Sequence, residues 1–145
     1  MNKKKYLLLS GGTGGHVIPA VNFGNYVIDK LTSKSFMKQV NKSGEYFFNG
    51  LKDLQKKHSI IGYVDNCGLY TGIELVRDRK TKEPADIEAN YERNLCVKNG
   101  LLFEKGGYYH NRMQLIPPLN VEIKTLEKCI EVLDLVFQQT SKHFN

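Results

Sequence analysis

Apolar and polar residues recur along this chain with two different spacings, and the changes of spacing mark out its elements. Tyr6-Leu7-Leu8-Leu9 is a continuous apolar run ending in a cluster of glycines, which predicts a buried strand of the parallel-sheet kind. Pro19 suits the first turn of a following helix with Val21, Tyr26 and Val27 inward, and Gly24 interrupts it. Leu31-Thr32-Ser33-Lys34-Ser35 breaks that pattern and supplies N-caps. Phe36, Val40, Phe47, Leu51 and Leu54 then recur at threes and fours with lysines opposite, predicting an amphipathic helix that ends near Lys57-His58.

Shorter elements follow. Ile60 to Val64 predicts a strand, Asn66-Cys67-Gly68 a turn and Leu69 to Val76 a second strand. Arg77 to Glu83 is a polar connection. Pro84 opens a helix with Ile87, Tyr91 and Leu95 on one face, stopped at Asn99-Gly100. Leu101-Leu102-Phe103 predicts a third strand, Gly106-Gly107 a loop, and Met113 to Ile116 a fourth strand halted by Pro117-Pro118. Ile123 to about Ser141 is a last helix with Leu126, Ile130, Leu133 and Phe137 in a wide apolar stripe. From residue 34 the order helix, two strands, helix, two strands, helix predicts an α+β fold: a small, mostly antiparallel sheet with packed helices. One β-loop-α unit precedes it, giving segments 1–32 and 33–145.

Composition narrows the function classes. The chain has 145 residues, a 41% hydrophobic and 25% charged share, and a net charge of +6, as expected of one soluble globular domain with an appendage. Residues 1–30 hold four lysines and one aspartate, so half the excess charge lies there and half in the rest. With no arginine cluster, that distribution predicts a solvated surface and no nucleic-acid partner. Cys67, Cys96 and Cys129 have neither metal-ligand nor disulfide spacing; each lies in or beside an apolar pattern and reads as a reduced core thiol in a cytoplasmic protein. The apolar run at Tyr6–Leu9 is too short for a secretory core, and no stretch is long enough to span a membrane. No metal site is expected.

The chemistry-bearing stretch is "SGGTGGHVIPA", residues 10 to 20. Glycines let backbone N–H groups approach phosphate oxygens, and the helix start that follows favours negative charge. Gly11, Gly12, Thr13, Gly14, Gly15 and His16 are therefore candidate phosphate-binding residues.

Two resemblances follow from the residues. "YLLLSGGTGGHVIPAVNFGNYVIDK" resembles the amino terminus of the N-acetylglucosaminyltransferase that forms lipid II in peptidoglycan synthesis, which implies a bacterial chain and a loop that meets a diphosphate. It covers about a fifth of the sequence. "GEYFFNGLKDLQKKHSIIGYVDNCGLYTGIELVRDRKTKEP", then "NGLLFEKGGYYHNRMQLIPPLNV" and the closing helix, resemble the carboxy-terminal small domain of class III (ornithine/4-aminobutyrate-type) aminotransferases, over about 110 residues. Together they read as a chimera of two unrelated fragments.

The second resemblance implies pyridoxal phosphate in the parent family, with the Schiff-base lysine in a large domain that these residues do not match. No cofactor is therefore expected in the isolated chain, and none of its residues is assigned a catalytic role. The family's substrate-carboxylate arginine falls at Gln114, three residues before Pro117, and Arg112 lies on the same strand face two residues earlier. Both are candidate substrate-binding residues. The expected function is an incomplete aminotransferase fragment, inactive alone and prone to homo-oligomerise through its uncovered face. Two alternatives stay open: a module that binds phosphate or a sugar nucleotide through the loop, and a small-domain subunit acting in trans with an aminotransferase large domain.

Overall fold

A computed structural model describes residues 14–144. The predicted strand Tyr6–Leu9 and the candidate residues Gly11, Gly12 and Thr13 lie outside them. The chain divides into two compact units, Met1–Lys38 and Gln39–Asn145.

In the first unit, helix α1 runs Gly14–Thr32. It begins earlier than expected, so Gly14, Gly15 and His16 are helical backbone, and Pro19 stands inside the helix instead of in its first turn. The missing N–H of Pro19 removes the bond that Gly15 would accept. The expected inner face is not buried: Val21 and Tyr26 are exposed and Val27 is half-buried. The break falls at Ser33. Its hydroxyl oxygen accepts from the Phe36 N–H at 3.4 Å and its carbonyl from the Met37 N–H at 3.1 Å, which caps helix α2, Lys34–Lys57.

The second unit is α+β. Its strands are β1 (Ile61–Cys67), β2 (Tyr70–Asp78), β3 (Glu83–Pro84), β4 (Glu104–Gly106) and β5 (Arg112–Leu115), with helices α3 (Asp86–Lys98) and α4 (Ile123–Phe144). The sheet order is β1-β2-β5-β4, with β3 paired to β2, and every pairing is antiparallel. Ile73 is opposite both Val64 and Met113, and these three define the core face. The apolar side of α2 (Val40, Phe47, Leu51, Leu54) and of α4 (Leu126, Leu133, Val136, Phe137) is buried, while Phe36 and Ile130, expected on the same faces, are half-buried. Gly44 of α2 meets the tight β1–β2 turn at Gly68: a Cβ there would lie 2.5 Å from the Gly68 carbonyl oxygen. Gly68 itself has φ 61°, which suits a two-residue hairpin turn.

The end of α2 is tied down by charge. Arg79 donates to the carbonyl of Gln55, in the last turn of α2, and to those of His58, Ser59 and Ile61 in the passage to β1. His58 is buried and bonds Asp134 Oδ1 at 2.6 Å, while Lys57 bonds Asp134 Oδ2 at 2.5 Å. Partial burial raises the Asp134 carboxyl, but Lys57 and His58 outweigh it and hold the group below its usual range.

Several expectations need correction. Leu101–Phe103 is not a strand; β4 begins at Glu104. Its register on β5 pairs Glu104 with Gln114, and pairing stops at Leu115, two residues before a proline that has no N–H to give. Asn66 and Cys67 belong to β1, and Cys67 is exposed, not a core thiol. β2 continues through Arg77 to Asp78, whose Oδ1 takes the N–H groups of Lys80 and Thr81, both at 2.7 Å. Pro84 pairs in β3 opposite Val76 and does not open a helix. The largest error is in α3. Ile87 is exposed and Tyr91 and Leu95 are half-buried, whereas Glu88, Ala89, Glu92 and Cys96 are buried. Ala85 and Ala89 are small enough to seat this helix close to the sheet, and the acids on that same face go inside with them.

Glu92 is fully buried, and neither carboxylate oxygen has a partner. Burial pushes its carboxyl well above the usual range, and the nearby Glu88 charge adds to it. A raised folded pKa means stability fully present below about pH 4.3, the ordinary glutamate value, and lost as pH rises through the folded pKa. Glu92→Gln should therefore raise the melting temperature at pH 8 and have little effect at pH 4. Equal effects at both pH values in thermal melts would refute this.

Candidate functional site

The sheet face opposite the core carries the two residues singled out on β5. Arg112 and Gln114 are both half-buried and point the same way, as residues two apart on a strand must. The structure separates their roles. Arg112 lies across the sheet over Gly72 of β2 and donates from Nη2 to Asp65 Oδ1 of β1 at 2.5 Å. The guanidinium fills the space a side chain at residue 72 would take. One of its five N–H donors is thus held by an internal carboxylate.

Gln114 is paired with Gly72 on one side and Glu104 on the other, at the centre of the same face. Its amide makes no hydrogen bond to a protein group among the described residues. It opens into a shallow groove with Arg93, Leu102, Phe103, Glu104 and Ile116. Leu102 and Ile116 are 78% and 61% exposed, so the rim is apolar and wet. The groove thus holds a cation from α3, a carboxylate from β4 and a neutral amide within an apolar rim. Arg93 and Asp65 were not foreseen. Arg93 has no sequence signal beyond its place on a polar helix surface, and Asp65 reads as an alternating exposed strand residue. Only strand register brings Asp65 to Arg112.

Gly14, Gly15 and His16 belong to the first unit and to α1. Tyr108 and Tyr109 follow Gly107, are exposed, and pack edge to face with centroids 4.9 Å apart. Cys96 and Cys129 have thiols pushed up to about 12, by burial first and, for Cys96, by Glu92 and Cys129 as well, so neither is a reactive thiolate. No group of three or more His, Cys, Asp or Glu side chains among the described residues is placed to hold a metal ion. Among those residues no helix is long and apolar enough to cross a membrane.

A protein-family model, "Aminotransferase class-III", matches residues 10–137. Over 121 residues the chain is 32% identical to "Alanine--glyoxylate aminotransferase 2 homolog 2, mitochondrial" of Arabidopsis thaliana, covering 83% of this chain and 25% of that one. It is 31% identical over 131 residues to "Taurine--pyruvate aminotransferase" of Bilophila wadsworthia, covering 87% and 28%. A Bacillus anthracis aminotransferase of known structure superposes with a TM-score of 0.73 at 27% identity, over 83% of this chain and 27% of that one. A transaminase from the marine bacterium Virgibacillus gives 0.76 at 23% identity, a likeness of fold. The chain thus spans about a quarter of the length of the curated relatives it matches.

That family depends on pyridoxal phosphate. Holding the cofactor covalently takes a lysine in an enclosed pocket. Among the described residues no lysine is buried: Lys52 and Lys105 are half-buried and the others exposed. The described residues therefore do not fit the cofactor.

The packing of Arg112 yields a test. Gly72→Ala should cost about 1 kcal/mol or less, because its Cβ would push the flexible guanidinium aside and break a partly solvated ion pair. In an Arg112→Ala background the same change should cost much less. Urea denaturation of the four proteins measures both, and an undiminished cost would show that Arg112 is not what Gly72 accommodates.

Proposed function

The chain belongs to the class III aminotransferase family, and from that premise we propose that it is the substrate-recognition portion of such an enzyme and does not transaminate by itself. The observation that carries the second half of this reading is the absence of any buried lysine among the described residues. Gln114 is the polar contact for the substrate, and Arg93 is the cation that meets its anionic end. Arg112 is the residue that braces the face beneath them. A neutral amide where the family places an arginine favours an amino substrate without an α-carboxylate at that point. The large domain that would hold the cofactor is the expected partner, whether on a separate chain or a longer form of this one. A second copy is the expected companion in its absence, since exposed Leu102, Tyr108 and Tyr109 favour association.

The amino-terminal residues are the finer part of the proposal. The glycosyltransferase-like reading of residues 1–32 rests on their sequence alone, and the class III match also takes in residues from 10 onward. On the chimeric reading the loop keeps its backbone donors and can hold an inorganic anion. No base or ribose pocket is recognisable in its sequence.

Two experiments follow. Incubation of the 145-residue chain with pyridoxal phosphate, removal of the excess and an absorption spectrum should give no stoichiometric band near about 410–430 nm, the usual aldimine range. Such a band together with turnover of an amino donor would overturn the reading. Calorimetry with UDP-N-acetylglucosamine should show no saturable heat at millimolar concentration. Micromolar binding lost in Gly14→Leu would instead establish a nucleotide-binding module.

A further inference from the structure

The first compact unit, Met1–Lys38, differs from the rest of the chain in charge. It holds Lys3, Lys4, Lys5, Lys30, Lys34 and Lys38 against one acid, Asp29, a net charge of +5. That leaves 15 of the 21 basic and 14 of the 15 acidic groups for the residues after it, a net charge of +1. Nearly all of the excess charge of the chain thus lies in about its first quarter.

The helix of this unit leaves large apolar side chains in water. From Gly14 to Ile28, α1 carries no Lys, Arg, Asp or Glu. Ile18 is 63% exposed, Val21 49%, Phe23 68% and Tyr26 66%. Phe23, Tyr26 and Lys30 are spaced by three and four, so they stand in one line along the helix. Lys30 holds its Nζ 5.8 Å from the centre of the Phe36 ring. At the start of α2, exposed Met37 lies between exposed Lys34 and Lys38. The neighbouring line of α1 is Ile18, Asn22, Asn25 and Asp29, apolar at one end and polar at the other.

Exposed apolar side chains along a whole helix call for a cover. A second copy would bring another +5 and be repelled. A nucleic acid would satisfy the lysines, but the unit has no arginine fork, and a phosphate backbone gives Ile18 and Val21 nothing. An anionic bilayer offers both a negative surface and hydrocarbon, and aromatic rings favour the boundary between them. We propose that this unit docks on a bilayer containing anionic phospholipid. α1 is not long and apolar enough to cross it and lies in the plane of the surface. Phe23 and Tyr26 enter the acyl boundary, Asn22 and Asn25 stay at headgroup level, and Lys30, Lys34 and Lys38 meet the phosphates. The inference is independent of Gln114 and of the reading of the chain as an aminotransferase portion.

The test is co-sedimentation of the full 145-residue chain with vesicles of equal parts phosphatidylglycerol and phosphatidylcholine. The chain should pellet with them, should not pellet with phosphatidylcholine alone, and should be released by high salt. Lys30→Ala with Lys34→Ala should weaken binding about tenfold or more. Lys124→Ala with Lys128→Ala makes the same change of net charge on exposed positions of α4 and should leave binding unchanged. Phe23→Ser with Tyr26→Ser should also weaken it about tenfold, with an unchanged melting curve because both rings are exposed. The chain has no tryptophan, so Phe23→Trp reports insertion: its emission should shift to the blue on the anionic vesicles and not with polyuridylate. No pelleting, equal binding to phosphatidylcholine alone, an equal loss in the α4 variant, no blue shift, or tighter binding to polyuridylate than to the vesicles would each overturn the proposal.

Discussion

The missing side chain at Gly72 is the constraint on which the open face of this sheet depends. Because no Cβ stands there, the Arg112 guanidinium lies flat across β2 and reaches Asp65 on β1. One ion pair thus spans three strands. It is partly solvated, so its Coulombic contribution is modest, on the order of 1 kcal/mol or less. Its larger effect is geometric. It removes the arginine from the groove and leaves Gln114 as the β5 side chain that faces it.

The same economy holds at the other end of the sheet. Arg79 gathers carbonyls from the last turn of α2 to the start of β1, and Asp134 of α4 binds Lys57, the last residue of α2, and His58 after it. Both devices satisfy groups that would otherwise be stranded where a helix hands over to a strand. They fix α2 and α4 against the sheet at one end, and Gly44 against Gly68 fixes α2 at the other.

Glu88 and Glu92 show a different use of burial. On a surface helix two acids four residues apart would be solvated. Here Glu88 is held inside by Arg77, and Glu92 is held by packing alone. One acid is thus held by an ion pair, and the other has no hydrogen-bond partner among the described residues.

The sequence by itself determined the elements whose apolar spacing is long and regular. The faces of α2 and α4, the β1–β2 hairpin with its turn at Gly68, and the stop of α3 at Asn99-Gly100 follow from local rules that need no distant partner. It also carried the family resemblance of the larger segment and pointed to Gln114. Only the tertiary structure decided the rest, because each remaining feature depends on residues far apart in the chain. β4 begins at Glu104, not at Leu101, because β5 supplies its partners. The inner face of α3 is Ala89, Glu92 and Cys96, not Ile87, because small residues allow close approach to the sheet. Arg112 turns to Asp65 across 47 residues of sequence, and no local pattern of apolar and polar positions encodes a pairing between strands that distant.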